Sequence, residues 1–402
     1  MTTYASSIGS DNADYTTVAS WYSDQRQRSD LADGDVIIGV LQNGVTDGHT
    51  GNHLAAFGSS NAMWSAGKDI TVILSGTNPD RTATFGTHPI VDIDNFTYLN
   101  SENHHLTFKL ENLDVSSDTR LRFQSDRVDN SSGIEVYFNN LRICQHNNGF
   151  FEDFTGDIRS LSAVSAAATR EDALALIPRS DFYWNNCTWA TTNESDNLWR
   201  HHPTDYDHFR TKIDVVGCTF KMSRSSGEVF DPNRSSAGVV EFQFNISASL
   251  YDTSSGTNIV AFTDGLQSWE ASHTYGYVVD YISNESASEF ANWTSSTLVT
   301  NYSAVTAFNY GSAPGEGEVS FSADGAGQPD FRLWNDPNNV AIGHVTNVTP
   351  LSPDLAGNDR GVSPFDAGAY ELSIQSGGGE PDLPLGGVGL PLTFAYRINI
   401  ND

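Results

Sequence analysis

The sequence predicts an all-β solenoid, a fold in which short strands stack coil upon coil along one axis, and three observations support it. The chain has 402 residues, which exceeds the usual size of one compact core, whereas the core of a solenoid grows along one dimension. Strand-like apolar runs recur along the chain, separated by clusters of Gly, Asn, Pro and Ser. Four segments also share one pattern of alternating apolar residues around a central Asn or Gly: Phe108–Val115, Val136–Ile143, Phe182–Trp189 and Ile213–Phe220.

The central residue of each repeat predicts a bend between two strands. These residues are Asn112, Asn140, Asn186 and Gly217, which follow one another at intervals of 28, 46 and 31 residues. Asn and Gly tolerate the left-handed backbone region that a sharp bend requires, and stacked Asn side chains can bond to the next coil. The intervals fit solenoid repeats of roughly 20 to 50 residues, with an insertion in the second interval.

A polar signature follows the repeats. It reads D-L-A-G-N-D-R at Asp354–Arg360 and D-x-G-A-Y-E at Asp366–Glu371. These motifs resemble the closing signature of right-handed parallel β-helix proteins, the pectate-lyase-like solenoids of bacterial surface proteins and phage particles. The resemblance implies a right-handed single-stranded parallel β-helix over residues 30–371, with the signature sealing the C-terminal end of the coil stack.

The first 29 residues precede this solenoid and are expected to cap it. Residues 1–13 are small and polar, which predicts a flexible or partner-ordered arm. The segment Asp14–Ser29 then predicts a short amphipathic capping helix, with Trp21 lying on the open first coil. The spacing of Tyr15, Val18 and Trp21 resembles the openings of phage structural proteins.

Two further segments depart from the coil pattern. Residues 159–177 are rich in helix formers and are followed by a proline, which predicts a helical insertion beside the coils. Residues 372–402 begin as a Gly/Pro linker and end in strict apolar alternation, which predicts a C-terminal docking strand. A lone apolar strand cannot stay unpaired in water, so it either folds back or joins a neighbouring subunit. Its docking face comprises Leu392, Phe394, Tyr396, Ile398 and Ile400.

Composition argues against two classes of partner. With 50 acidic and 21 basic side chains, the chain has a formal net charge of −29, which repels nucleic acid and anionic membranes. No apolar stretch approaches the length of a membrane span, and the first residues lack the pattern of a signal peptide. We therefore expect no nucleic-acid partner, no membrane insertion, and synthesis in a host cytoplasm followed by incorporation into a virion.

Candidate catalytic and metal-binding residues do not stand out. The polar cluster Arg200–Arg210 contains histidines and aspartates, but it lacks a metal-ligand spacing such as H-x-x-x-H. Carboxylates such as Asp114 and Asp214 could line one face of a glycan-cleaving solenoid, yet acidic residues are too abundant for sequence to select a pair. No catalytic residue, metal ligand or cofactor is therefore assigned, although the acidity leaves Ca²⁺ open.

Tryptophans are a second kind of candidate ligand-binding residue, because sugar rings lie flat on indole rings. Trp184 and Trp189 occupy inward positions of the repeats, which predicts that they belong to the core. The candidate glycan contacts are the tryptophans that fall outside the repeat positions: Trp199, Trp269 and Trp293.

Together these features favour a non-catalytic structural component of a phage virion, either a tail spike or fibre or a capsid-attached decoration. Its rigid β-helical surface would serve attachment or assembly. The expected partners are other virion proteins, further copies of the chain in a homo-oligomer such as a trimer, and host surface glycans. Two alternatives stay open: a tailspike that degrades host polysaccharide as a glycoside hydrolase or lyase, and a bacterial surface adhesin. Whether the protein is an enzyme is therefore undecided.

Overall fold

A computed structural model provides the coordinates of the protein. The residues it describes are 1–9, 12–25, 27–42, 46–47, 68–77, 90–92, 99–100, 105–116, 121–125, 133–147, 150–152, 158–162, 179–191, 198–201, 208–222, 227–231, 238–253, 257–260, 274–284, 297–322 and 331–372. The chain divides into one unit from Met1 to Leu372 and a second from Ser373 to Asp402, and the second lies outside the described residues.

Within those ranges the chain is almost entirely β-structure, with a single helix. The elements are β1 (Thr3–Ile8), α1 (Val18–Gln25), β2 (Asp35–Leu41), β3 (Thr46–Asp47), β4 (Ile70–Gly76), β5 (Ile90–Asp92), β6 (Leu99–Asn100), β7 (His105–Glu111), β8 (Asp114–Ser116), β9 (Leu121–Ser125), β10 (Gly133–Asn139), β11 (Arg142–Asn147), β12 (Phe150–Glu152), β13 (Ile158–Ser162), β14 (Arg179–Asn185), β15 (Thr188–Thr191), β16 (Trp199–His201), β17 (His208–Val216), β18 (Thr219–Met222), β19 (Gly227–Asp231), β20 (Gly238–Ser247), β21 (Leu250–Thr253), β22 (Thr257–Val260), β23 (Thr274–Ser283), β24 (Thr297–Ala304), β25 (Phe308–Tyr310) and β26 (Val319–Phe321). No helix in these ranges has the length and apolar character needed to cross a membrane.

Parallel pairing along three ladders confirms the predicted fold class. The first ladder runs through β1, β2, β4, β7, β10, β14, β17, β20, β23 and β24. The second runs through β3, β5, β8, β11, β15, β18 and β21 to the end of β23. The third runs through β6, β9, β13, β16, β19 and β22. Because each strand pairs with the strand one coil later, the protein is an all-β parallel β-helix.

The four predicted bends are present between the first and second ladders. Asn112, Asn140 and Asn186 have φ of 57°, 53° and 51°, and Gly217 has φ of 63°. Asn140 Nδ2 donates to Asn112 Oδ1 at 3.1 Å, and Asn186 Nδ2 donates to Asn140 Oδ1 at 3.1 Å. The asparagines therefore form a hydrogen-bonded ladder that joins three coils, because each amide can donate to one neighbour and accept from the other.

The series of bends continues beyond the repeats that the sequence reveals. Ala248, Asp280 and Asn301 occupy the left-handed region with φ of 51°, 51° and 53°. The Asp280 carboxylate accepts hydrogen bonds from the side chains of Asn301 and Asn347 and from backbone N–H groups nearby. Three different residue types form the bends after Gly217. The sequence pattern of the repeat is therefore no longer recognisable in this part of the chain.

Large apolar side chains fill the interior of the coil stack. Trp184 and Trp189 are fully buried, as predicted. The Trp184 ring stacks on Phe138 of the preceding coil with centroids 5.1 Å apart, and its edge meets Phe230 of the third ladder at 5.3 Å. Because close-packed aromatic rings occupy this interior, any ligand chemistry has to lie on the outer faces.

The N-terminal residues correct the prediction of a flexible arm. Thr3–Ile8 forms β1, which pairs in parallel with β2 throughout its length. Small Ser and Thr side chains suit an edge strand where an apolar strand offers a partner. The capping helix is present but shorter than predicted, at Val18–Gln25. Its Trp21 is buried, and a Cβ atom at Gly39 would meet the indole at 2.8 Å, so glycine there lets Trp21 lie on the first coils.

Part of the predicted helical insertion is instead a strand. Ile158–Ser162 forms β13, which pairs in parallel with β9 and β16. Pairing with a coil on each side outweighs the helix propensity of this stretch. Residues 163–178 lie outside the described residues, as does the predicted docking strand.

The C-terminal signature belongs to a segment, residues 351–372, that we call the closing segment. It packs along the side of the coil stack, whereas the resemblance implied a seal at its end. Asn186 Nδ2 donates to the carbonyl oxygens of Leu351 and Pro353 at 2.6 and 2.8 Å. Gly368 N donates to the carbonyl of Ala248 at 2.7 Å. The closing segment therefore covers the bends of several consecutive coils.

Candidate functional site

The outer face of the first ladder presents a column of register partners that lies opposite the core. In strands β7, β10, β14 and β17 the column contains Lys109, Tyr137, Tyr183 and Asp214. The two tyrosine rings stack with centroids 4.4 Å apart and planes 6° apart. Lys109 Nζ lies 5.1 Å from the Tyr137 centroid, and Lys212 Nζ lies 5.0 Å from the Tyr183 centroid. We call Lys109, Tyr137, Tyr183 and Lys212 the tyrosine stack.

Both faces of each tyrosine in the stack are covered. Since Lys109 precedes Tyr137 by one coil and Lys212 follows Tyr183 by one coil, each lysine lies on the ring face that the other tyrosine leaves uncovered. Cation–π contacts of this kind contribute about 0.5–1 kcal/mol at exposed sites. A sugar ring therefore cannot lie flat on either tyrosine, and the outer face offers ring edges and hydroxyl groups.

The tyrosine hydroxyls remain protonated at neutral pH. Burial and the nearby Glu135 carboxylate raise the pKa of Tyr137 to about 12, and burial raises the pKa of Tyr183 further. The Tyr137 hydroxyl donates to Glu135 Oε2 at 3.1 Å. The hydroxyl oxygen of Tyr137 can still accept a hydrogen bond from a polar ligand. Neither hydroxyl ionises at neutral pH, so neither can act as a base.

Charged side chains beside the stack are engaged with one another. Glu135 Oε1 lies 3.8 Å from His105 Nε2, and this contact raises the pKa of His105 and lowers that of Glu135. Asp181 Oδ1 accepts the backbone N–H of Lys212 at 2.9 Å, and the Lys212 ammonium pairs with Asp214. Two charge pairs, His105–Glu135 and Lys212–Asp214, therefore lie on this face, and the remaining lone pairs of its carboxylates could bind a hydroxyl-rich ligand.

A second polar cluster lies on the outer side of the second ladder. Lys221 and Asp252 are register partners on adjacent coils. The Asp252 carboxylate accepts from the Tyr310 hydroxyl at 2.7 Å and from Asn284 Nδ2 at 3.2 Å. Lys221 Nζ lies 3.7 Å from the centroid of the Tyr310 ring. We call these four residues the Asp252 cluster.

Burial shifts the ionisation of the Asp252 cluster towards the neutral forms. It raises the pKa of Asp252 and lowers the pKa of Lys221, and burial together with Asp252 raises the pKa of Tyr310. Neighbouring groups with opposed pKa shifts are typical of catalytic sites, and they also occur in structural networks. Chemically, the cluster holds a carboxyl group and an amine that could exchange protons with a bound ligand.

The predicted glycan contact at Trp199 is wrong in this structure. Its side chain is fully buried and packs against Phe182 and Phe242, with ring centroids 5.9 and 6.2 Å away. Trp199 begins β16 of the third ladder, and this three-residue strand is too short to show an alternating pattern. The other predicted ligand and docking residues lie outside the described residues: Trp269, Trp293, Leu392, Phe394, Tyr396, Ile398 and Ile400.

The structure describes some of the remaining candidate residues that the sequence suggested. Asp114 is buried and receives two hydrogen bonds from the Arg142 guanidinium, at 2.8 and 2.7 Å, so it holds two coils together. The polar cluster contributes His201 to β16 and His208 to β17, while residues 202–207 lie outside the description. Where the chain is described, no group of three His, Cys, Asp or Glu residues is placed to hold a metal ion.

Comparison with known proteins gives no match to a family model, to a curated protein or to a solved structure. Function therefore has to be argued from the fold and the two clusters. A parallel β-helix of this kind is compatible with a structural or tailspike-like role.

Proposed function

We propose that the chain is a non-catalytic structural component of a phage virion, either a tail spike or fibre or a capsid-attached decoration. The observation that carries this proposal is the bonding of polar side chains from coil to coil. The tyrosine stack, the ladder from Asn112 to Asn186 and the Arg142–Asp114 pair each join successive coils. Bending the solenoid would break these contacts, so they favour a stiff rod.

The state of the outer face supports the same proposal. The ring faces of Tyr137 and Tyr183 are covered, and the neighbouring Glu135 and Lys212 are paired with His105 and Asp214. A site that binds a substrate tightly usually keeps unpaired polar groups in a concave pocket. A surface with its charges paired serves as a scaffold, and its residual hydroxyls allow weak contacts with host surface glycans.

The virion assignment is tested by locating the protein. Phage particles from cells that express the gene are separated on a density gradient, and the chain is quantified by mass spectrometry against the major capsid protein. We expect a fixed number of copies in the particle band, and electron microscopy with a specific antibody then separates tail from capsid. Recovery of the chain solely from the unassembled fraction would contradict the proposal.

The proposed partners are other virion proteins and further copies of the chain, in a homo-oligomer such as a trimer. The alternating face from Leu392 to Ile400 motivates this proposal. Deleting residues 390–402 should reduce the oligomer mass measured by light scattering and should prevent incorporation into particles. Substituting Thr393 and Asn399, which the alternation assigns to the opposite face of the predicted strand, is the control and should change neither. Unchanged mass and incorporation after the deletion would refute the docking role.

A second candidate function, cleavage of host surface polysaccharide, is favoured by the Asp252 cluster. Its carboxyl and amine groups could serve as acid and base in glycoside hydrolysis or elimination. The purified protein is incubated with capsular polysaccharide and lipopolysaccharide, and new reducing ends and unsaturated sugars are measured. Cleavage that Asp252→Asn abolishes and Asp214→Asn retains would establish this function and overturn the non-catalytic proposal. We expect no cleavage by the wild-type protein.

A further inference from the structure

The closing segment buries one guanidinium among three carboxylates. Arg360 is 3% exposed, and Asp354, Asp366 and Glu371 are 0%, 4% and 8% exposed. If all four groups were ionised, the cluster would hold two negative charges in excess. Burial of uncompensated charge is costly, and a buried carboxyl group commonly takes up a proton to avoid this cost.

Hydrogen-bond geometry favours the ionised form of two of the three carboxylates. Asp354 accepts the backbone N–H of Asn358 on Oδ1 and that of Glu371 on Oδ2, at 2.6 Å each. Asp366 likewise accepts backbone N–H bonds on both oxygens, at 2.8 Å each. Burial raises the pKa of both aspartates, but donors on both oxygens favour the ionised form and leave little room for a proton.

Glu371 differs because its two hydrogen bonds converge on one oxygen. Oε2 accepts from Arg360 Nη1 at 2.9 Å and from the backbone N–H of Asp366 at 3.0 Å. Those contacts leave Oε1 as the position for a proton. Burial, followed by the negative charge of Asp366, raises the pKa of Glu371 to about 7. The hydrogen-bond geometry and the charge balance therefore both identify Glu371 as the group that takes up the proton.

The coil side of the cluster contributes uncharged groups in the described contacts. Asn186 Oδ1 accepts from Arg360 Nη2 at 3.0 Å, and the Thr219 hydroxyl accepts the N–H of Ala369 at 3.1 Å. The charged groups around Glu371 are thus Arg360, Asp366 and Asp354, all from the closing segment. Its ionisation then depends on the packing of this segment, because opening the segment returns the carboxyl group to water.

We propose that Glu371 is a proton-operated latch, which holds the closing segment on the coils when protonated and loosens its C-terminal end when the proton leaves. The position supports this role. Leu372 donates its backbone N–H to Asp366, and Leu372 is the last residue of the unit that precedes residues 373–402. The latch therefore lies at the C-terminal end of the first unit, so pH would control how firmly that end is held on the coils.

The direction of the pH effect follows from proton linkage. The closed segment binds the Glu371 proton with a pKa of about 7, whereas a solvated glutamate has a pKa near its ordinary value of 4.5. The stabilisation of the closed segment by this proton is complete below pH 4.5, declines as pH rises from 4.5 and is lost above pH 7. Between pH 5.5 and 8 the opening constant should increase roughly 25-fold.

The test compares amide hydrogen exchange in the wild-type protein and in Glu371→Gln, which mimics the protonated form. Exchange of peptides covering residues 354–372 is measured at several pH values from 5.5 to 8. Because both proteins are measured at the same pH, intrinsic exchange rates cancel in the ratio. We expect the ratio of wild-type to variant exchange rates to rise roughly 25-fold from pH 5.5 to pH 8 and to level off above pH 7. Asp359→Asn, an exposed change in the same segment, should follow the wild type.

A ratio that stays constant from pH 5.5 to 8 would overturn the proposal. If Glu371→Gln fails to fold, the wild-type profile decides after correction for intrinsic exchange rates. A rise in corrected exchange that levels off above pH 7 in peptides of the closing segment, and is absent from peptides of β14 and β17, would support the latch. A profile without that rise, or the same rise throughout the coils, would refute it.

Discussion

The molecule buries two arginines in contrasting ways. Arg142 is 5% exposed and joins the Asp114 carboxylate of the preceding coil through two parallel hydrogen bonds. Arg360 is 3% exposed and divides its donors among Glu371, the Asn186 side chain and backbone carbonyls. The coil stack thus contains a balanced pair, whereas the closing segment buries one cation with three acids.

This difference separates mechanical from proton-sensitive contacts. A bidentate pair with equal charges satisfies both groups in one arrangement, and losing either partner leaves a buried charge. An unbalanced cluster can relieve its excess charge by binding a proton, so its stability depends on pH. The coils and the segment that covers them should therefore respond differently to mutation and to pH.

The largest expected effect comes from breaking the balanced pair. Asp114→Ala leaves the Arg142 guanidinium buried without its carboxylate and should lower the free energy of unfolding by about 3–5 kcal/mol. Urea titration followed by circular dichroism measures the change. Replacing both residues, with Asp114→Leu and Arg142→Met, should recover most of the loss because no charge then remains buried. If the double variant is as unstable as Asp114→Ala, the loss of stability does not come from the unpaired buried charge alone.

The fold could be predicted from the sequence where one residue type repeats at the bends. Asn112, Asn140 and Asn186 made the coils visible because only a few residues tolerate the left-handed region. Ala248 and Asp280 occupy the same position without that signature, since backbone and side-chain contacts from distant parts of the chain hold them. Local patterns cannot reveal a bend that tertiary contacts enforce.

A second, smaller effect should follow from removing the cation of the unbalanced cluster. Arg360→Met should lower the free energy of unfolding by about 3 kcal/mol at pH 8, because three buried carboxylates then lack a counter-ion. The loss should be smaller at pH 5.5, since protonation of Glu371 removes one of these charges. Unfolding in urea at the two pH values provides the comparison. Arg28→Met, which removes a surface pair with Asp30, should cost at most about 1 kcal/mol at either pH.

The sequence indicates the tyrosine stack more clearly than it indicates the Asp252 cluster. Lys109, Tyr137 and Tyr183 each stand three residues before a bend asparagine, so the repeat places them in one outward column. The Asp252 cluster left no comparable signal, because Tyr310 comes from strand β25, outside the repeats, to contact Asp252. Sequence reveals contacts between equivalent positions of a repeat, and it misses contacts supplied from outside the repeat.

The third effect concerns the seat of the closing segment and leaves every charge in place. A Cβ atom at Gly368 would lie 2.7 Å from Thr219 Oγ1 and 2.8 Å from Leu250 Cδ1, and the residue has φ of 99°. Gly368→Ala should therefore cost about 2 kcal/mol through strain and displaced packing. Gly361→Ala is the matched control, because Gly361 has φ of 62° and open space around its Cβ position. It should cost about 1 kcal/mol, and equal losses in urea unfolding would show that Gly368 is not a contact point.

The smallest expected effect distinguishes the backbone role of the asparagine ladder from its hydrogen bonds. Asn140 has φ of 53°, donates to Asn112 and accepts from Asn186. Asn140→Gly removes both side-chain hydrogen bonds and keeps the bend accessible, whereas Asn140→Ala also places a Cβ in the left-handed region. The alanine variant should therefore be less stable than the glycine variant by about 1 kcal/mol. Equal free energies of unfolding for the alanine and glycine variants would mean that the ladder acts through its hydrogen bonds alone. A glycine variant as stable as the wild type would mean that Asn140 serves the backbone, since the net value of a hydrogen bond is itself about 1 kcal/mol.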